Sequence, residues 1–322
     1  MSDPNLSSDP NWERKVLEKL ALDGLVEQRR RRRWGIFFKL MGFAYLAVIL
    51  GAVFEWGGGS EKLADGARHT ALVQLDGVIA PKSDASAENI LGALQSAFED
   101  KGTAGVVLLI NSPGGSPVQS GMINDEIHRL REKYPQIPLY VVVEDICASG
   151  GYYVAVAADK IFVDKASLVG SIGVLMDGFG FTGTMDKLGV ERRLLTAGEN
   201  KAFLDPFSPQ NAEQKKYAQA MLAEIHQQFI TVVKQGRGKR LKETPELFSG
   251  LVWSGAKSIE LGLTDGYGTV ESVARDVVKA EEIRDYTVKP NFAEKFAQKF
   301  GANMGTSFLQ GLMSASSRFS LH

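Results

Sequence analysis

Cysteine is nearly missing: the 322-residue chain has one, Cys147, so it can form no internal disulfide and offers no thiol set for a structural zinc site. Histidine is scarce too, with four residues, His69, His128, His226 and His322, that show no metal-ligand spacing. The chain also has no surplus of either charge. Its 37 Lys and Arg stand against 38 Asp and Glu, a net charge of −1, which argues against a nucleic-acid-binding face. What remains is a chain with 44% hydrophobic residues, enough for one or two domains with real cores.

One long apolar run is present. Trp34 to Phe54 is 21 residues with a single charge, Lys39, near one end, where its stem can snorkel. Five consecutive arginines, Arg29–Arg33, precede it, and a basic flank stays on the cytoplasmic side. The bulky "AVFEW" at its end is a poor cleavage site for a signal peptide, so a retained anchor is expected. The expected organisation is a cytoplasmic segment 1–33, a transmembrane anchor 34–54, a linker 55–69, a folded domain 70–288 facing the outer side, and a tail 289–322. Trp12, Val16 and Leu20 at helical spacing predict a short amphipathic helix ahead of the span, and Phe292, Phe296 and Phe300 predict another in the tail.

Within 70–288, apolar runs alternate with helical patterns: strands at 71–79, 104–110 and 138–143, helices at 86–99 and 116–133, and a further helix after Ser149. Nearly continuous apolar strands in βα alternation predict an α/β domain on a buried, largely parallel sheet. Further strands are expected at 160–163, 171–176 and 191–196, with a short helix near 183–188. A long helix with Ser208 as N-cap and Pro209 at N1 should run to about Lys234, followed by smaller α/β decoration over 241–288.

Three features follow strand ends, the edge of a parallel sheet where ligands bind. "NSPGGSP", 111–117, puts Gly114 and Gly115 in a turn before a helix start; "CASGGYY", 147–153, puts Ser149 at another; and "AGENKAFLDPFSP", 197–209, carries Lys201. If Ser149 is a nucleophile, its small neighbours leave the hydroxyl uncrowded, the helix dipole favours developing negative charge, and the N–H groups of Gly150 and Gly114 are candidates for an oxyanion hole. Gly151 would admit a close strand or substrate. A base is then needed. His128 and His226 fall inside predicted helices, His69 in the linker and His322 at the terminus, so a Ser/His pair is poorly supported. A desolvated lysine can accept a proton instead, and Lys201 is the best-placed candidate. Each feature alone has a plainer meaning: a serine before Gly-Gly is most often an N-cap, a loop lysine a solvated charge, and "SPGG" an ordinary turn.

The ordered set "NSPGGSP", "ASGGYYVAVAADKIFV", "LVGSIGV", "DKLGV", "GENKAFLDPFSP" and "GLVWSGAKSIELGLTDGYGTV" resembles the signal peptide peptidase A family of bacterial membrane serine proteases over about residues 70–275. The resemblance implies a crotonase/ClpP-like superhelix of ββα and βα units after one N-terminal transmembrane helix. It places a nucleophile on Ser149, a lysine base on Lys201, an oxyanion glycine on Gly114 and a lysine-orienting hydroxyl on Ser171. It implies no cofactor or metal, peptide substrates such as signal-peptide remnants, and a bacterial inner-membrane location with a periplasmic catalytic domain. Long members of the family carry two copies of the unit with the dyad split between them. This chain has one copy, so a homo-oligomeric ring with active sites shared between subunits is expected. A crotonase-fold acyl-CoA enzyme and a non-catalytic membrane scaffold are the alternatives.

Overall fold

The computed structural model describes residues 12–56 and 67–288. It falls into two units, Met1–Ala64 and Asp65–His322. In the first, the amphipathic stretch and the apolar run expected as separate elements form one continuous helix, α1 (Trp12–Trp56). Among the described residues no helix is long and apolar enough to cross a membrane. Residues 49–56, which complete the apolar run, have side chains outside the description. The first 11 residues, most of the linker and the phenylalanine-bearing tail, with Phe292, Phe296 and Phe300, also lie outside the described residues.

The second unit opens with β1 (His69–Asp76), α2 (Ala87–Glu99), β2 (Thr103–Ser112), α3 (Pro117–Lys133), β3 (Leu139–Ala148) and α4 (Gly150–Ala155). Helix starts are set by side chains the sequence supplies: Ser86 caps α2 through the Asn89 N–H, and Ser116 caps α3 through Gln119, with Pro117 in the first turn. β4 (Lys160–Val163), β5 (Leu168–Gly170), α5 (Thr182–Leu188), α6 (Ala212–Arg237), β6 (Val252–Ser254), α7 (Gly255–Glu260), β7 (Gly266–Tyr267) and β8 (Ile283–Asp285) complete it.

Among the described residues eight strands join in one sheet, ordered β6-β5-β3-β2-β1-β8, with β4 pairing β3 and β7. Every pairing is parallel except β5 with β6. The centre of the sheet is covered on both faces, which is why its strands are apolar runs. Val73, Leu75, Val106, Leu108, Ile110, Val141 and Cys147 are buried, with Ile90, Leu94 and Phe98 of α2 and Ile123, Ile127 and Leu130 of α3 in the same core. Each such side chain contributes about 1.5–3 kcal/mol by leaving water.

β3 changes neighbour along its length. Tyr140–Val142 pair with β4, whereas Ile146–Ala148 pair with β5. The chain therefore reaches Ser149 at a split in the sheet, with the end of β2 on one side and β5 on the other. Beneath α4, the Tyr152 hydroxyl donates to the Leu263 carbonyl at 2.7 Å. Nearby, Arg237, 1% exposed, grips Asp265 with two bonds of 2.9 Å and donates from Nε to the Gly262 carbonyl at 2.8 Å. Burial pushes the Asp265 carboxyl up, but the Arg237 guanidinium and the Ile161 N–H outweigh it and hold the group below the ordinary aspartate value.

Two expected strands are not strands. Residues 171–173 form an irregular turn with Ile172 fully buried, and 174–176 and 191–196 belong to a largely exposed arm, roughly 174–211, whose one helix, α5, has no buried residue. The long helix also starts later than expected: its N-cap is Asn211, whose side chain accepts from the Glu213 and Gln214 N–H groups. Ser208 is engaged elsewhere, donating from Oγ to Asp205 Oδ2 at 2.6 Å. That carboxylate also pairs with Arg192, and these contacts, Arg192 first, hold its pKa low.

Candidate active site

Ser149 sits where β3 turns into α4, with φ +52° and ψ −123°. An L-residue adopts that conformation only at a cost of roughly 1–3 kcal/mol. It occupies the cap position but makes no capping bond, so the expectation of an ordinary N-cap fails and the hydroxyl is left to the cavity it lines. The strained backbone is fixed from both sides: the Ser149 N–H donates to the Gly170 carbonyl at 2.8 Å, and the Tyr153 N–H returns to the Ser149 carbonyl at 3.0 Å.

Gly114 packs directly on this turn. With φ +99°, its position could hold a Cβ only 2.6 Å from the Gly150 nitrogen and 2.7 Å from Ser149 Cβ. Its N–H, however, donates to Ser112 Oγ at 3.1 Å. Gly115 is the glycine that lines the cavity with Ser149 and Gly150. Its bridge to Ile79 uses the N–H and carbonyl of Ile79, so the Gly115 N–H turns away from that strand. The sequence singled out Gly114 as a donor; the geometry gives that residue the role of close packing and offers Gly115 as the donor beside Gly150. Gly151 meets the neighbouring strand, where an added Cβ would lie 3.0 Å from the Ser112 carbonyl oxygen.

The cavity has a volume of about 500 Å³. Tyr153, Val174, Leu175, Ile225 and Phe229 give it an apolar wall, and Ser120, Ser149, Ser171 and Gln228 supply side-chain polar groups. Tyr153 and Phe229 pack with ring centroids 5.2 Å apart. Burial, with the Asp125 charge adding to it, pushes the Tyr153 hydroxyl up, so it stays protonated. Cys147, two residues before the serine, is fully buried and its thiol is pushed up by burial, which keeps it out of the chemistry.

Ser171, at φ +49°, lines the same cavity as Ser149. Lys201 does not. It lies exposed in the 198–205 loop of the arm, its N–H donating to the Gly198 carbonyl at 3.1 Å. Among the described residues, the cavity lining contains no lysine, histidine or carboxylate. The arm has internal order nonetheless. Phe181 stacks on Phe207 at 5.3 Å, Arg192 lies over Phe207, and the Phe181 N–H donates to the Pro206 carbonyl at 2.8 Å. Yet Leu175 and Phe179 are each 80% exposed, and Leu195 is 97% exposed.

A serine on a strained strand-to-helix turn of a parallel α/β sheet, beside backbone N–H groups and an apolar cavity, is an arrangement that suits acyl-transfer chemistry. Comparison with known proteins narrows this. The model of peptidase family S49 matches residues 131–284, a span that holds Ser149, Ser171 and Lys201. A protein of Enterococcus faecium that carries the name signal peptide peptidase SppA is 32% identical over 238 residues, 71% of this chain and 69% of its own length. A protein of Methanocaldococcus jannaschii named as a protease is 34% identical over 223 residues, 68% of this chain and 70% of its own length. A Brucella abortus protein named Na(+)/H(+) antiporter NhaA is 48% identical over 184 residues, 57% of this chain, but the match spans only 25% of that protein. The chain belongs to peptidase family S49, the signal peptide peptidase A family.

Proposed function

We propose that the chain is a membrane-anchored serine endopeptidase that cuts extended peptides, signal-peptide remnants among them, with Ser149 as nucleophile and Lys201 as base. One observation carries this reading: Ser149 has a strained backbone, a hydroxyl that makes no capping bond and an apolar cavity, and among the described residues no lysine, histidine or carboxylate lines that cavity. The base must then come from elsewhere, and Lys201 sits on an arm whose exposed leucines and phenylalanines need a protein surface to cover them. A second copy of the chain supplies both in a closed ring, where a head-to-tail contact repeats around the assembly.

Ser149 Oγ attacks the scissile carbonyl while the unprotonated Lys201 amine of a neighbouring copy takes its proton. The oxyanion accepts hydrogen bonds from the Gly115 and Gly150 N–H groups, and the lysine returns the proton to the leaving amine. Water then attacks the acyl-enzyme, with the lysine again as base. Ser171, on the cavity wall, orients the amine. Trp34–Phe54 anchors the chain, with Arg29–Arg33 on the cytoplasmic side of a bacterial inner membrane and the catalytic unit, built as a crotonase/ClpP-like superhelix, in the periplasm.

Fluorophosphonate labelling tests the chemistry. The full chain should be labelled on Ser149, and Ser149→Ala should abolish the label. A chain that takes no label has no activated serine, and the acyl-CoA or scaffold alternatives then stand.

A further inference from the structure

The turn between Ser149 and the arm is held by one side chain from outside it. Residues 170–172 present carbonyls that are each bonded in turn: Gly170 accepts the Ser149 N–H at 2.8 Å, Ser171 accepts the Gly173 N–H at 2.9 Å, and Ile172 accepts from His226 Nε2 at 3.0 Å. A carbonyl only accepts, so Nε2 carries the proton in this bond. The Ser171 N–H completes the set by donating to the Leu251 carbonyl at 2.8 Å. Ser171 has a positive φ of +49°, a strained conformation for a residue with a side chain, so the turn gains from outside support.

His226 lies on α6, between Ile225 and the pair Gln228 and Phe229, which line the cavity. It reaches the main chain of Ile172, which is fully buried between the cavity-lining Ser171 and Gly173. The bond therefore connects α6 to the turn that lines the cavity beside Ser149, and through Gly170 to the backbone of Ser149 itself. The chain leaves along 173–175 and returns into α6 at Ala212, so His226 ties the arm's departure to the helix that ends it.

We propose that His226 is a positioning residue for the serine site, holding the 170–173 turn so that Ser149 and Ser171 face one cavity and the Lys201 arm leaves in a fixed direction. It touches no reacting atom. The inference rests on Ser149 being the nucleophile, and its consequence is kinetic. Without the Nε2 donor the Ile172 carbonyl is left unsatisfied and the turn relaxes, which displaces the Ser149 N–H that Gly170 holds.

The test is the maximal rate at which a fluorophosphonate inactivates the full-length chain, measured with thermal stability for wild type, His226→Ala, His226→Leu and His226→Gln. This small probe reports the nucleophile and its donors with little contribution from peptide binding. His226→Ala and His226→Leu should slow inactivation about 3- to 10-fold, the size expected from one lost hydrogen bond. His226→Gln, which keeps an N–H donor of similar reach, should recover to within about twofold. A melting temperature that falls while the inactivation rate stays at the wild-type value would make His226 a packing residue and overturn the inference. So would a glutamine variant as slow as the leucine variant at equal stability. If alanine does not fold, the leucine and glutamine pair decides. A wild type that takes no label overturns the nucleophile assignment and this inference with it, whereas a labelled wild type with unaffected variants overturns this inference alone.

Discussion

Replacing Gly114 by alanine puts a methyl group where the structure has no room. The added Cβ would stand 2.6 Å from the Gly150 nitrogen, 2.7 Å from Ser149 Cβ and 2.8 Å from the Ala148 carbonyl oxygen, all atoms that no side-chain rotation can remove. Carbon–carbon contact wants about 3.5–4.0 Å, so the two turns must part by close to ~1 Å. The φ of +99° adds strain that an alanine does not relieve. Overpacking and strain together should cost about 2–5 kcal/mol of stability, which for a domain of this size is a melting shift of about 5–15 °C. Catalysis should suffer more. A displacement near ~1 Å between nucleophile and oxyanion donors costs on the order of 10²-fold in kcat. Gly121→Ala is the control: it lies inside α3 with nothing within 4 Å of the added Cβ, so it should leave kcat unchanged and add up to about 1 kcal/mol of helix stability. The assay is cleavage of a fluorogenic peptide well below either melting temperature. A Gly114→Ala enzyme with kcat within twofold of wild type would refute the packing argument for the site.

Arg237→Ala should destabilise the catalytic unit by about 1.5–3 kcal/mol in denaturant titrations, because it removes two charge-assisted bonds to the half-buried Asp265 carboxylate and leaves it with Arg240 and the Ile161 N–H. Asp265 is held below its ordinary value in the fold, so the stability it gains from Arg237 is present above the unfolded aspartate pKa of ~3.9 and is lost as pH falls through the lower folded value. The acid limb of the stability curve should accordingly flatten in Arg237→Ala. Leu108→Ala, at a fully buried position of β2, should cost about 2–5 kcal/mol by melting without changing the pattern of peptide cleavage. Cys147 should resist thiol reagents in the native protein and react only on unfolding, as stopped-flow labelling would show.

The central sheet was readable because a parallel strand covered on both faces has to be an apolar run, and β1, β2 and β3 are such runs. The strand-to-helix turn at Ser149 was readable because an apolar run precedes it and small residues follow. The strand expectations that failed in the arm share a physical origin. Leu175, Phe179, Leu188, Leu194 and Leu195 are apolar enough to suggest strands and a helix, yet among the described residues they stay exposed. A hydrophobic pattern does not say whether the surface it marks packs inside the chain. Ser208 and Pro209 carried a good helix-start signal, but Asp205 had already taken the Ser208 hydroxyl, leaving the cap to Asn211. The choice between Gly114 and Gly115 as donor depends on which way a peptide plane faces. His226 looked like any residue of an amphipathic helix, because its partner is a carbonyl 54 residues away.

Mixed assemblies test the central claim, that Ser149 and Lys201 meet between copies of the chain, most directly. Ser149→Ala and Lys201→Ala chains with different tags are each inactive on this account; co-expressed and purified through both tags, they should regain part of the wild-type peptidase activity, since some interfaces pair an intact serine with an intact lysine. Mixed assemblies as inactive as either parent, with wild-type assemblies of the same size fully active, would contradict it.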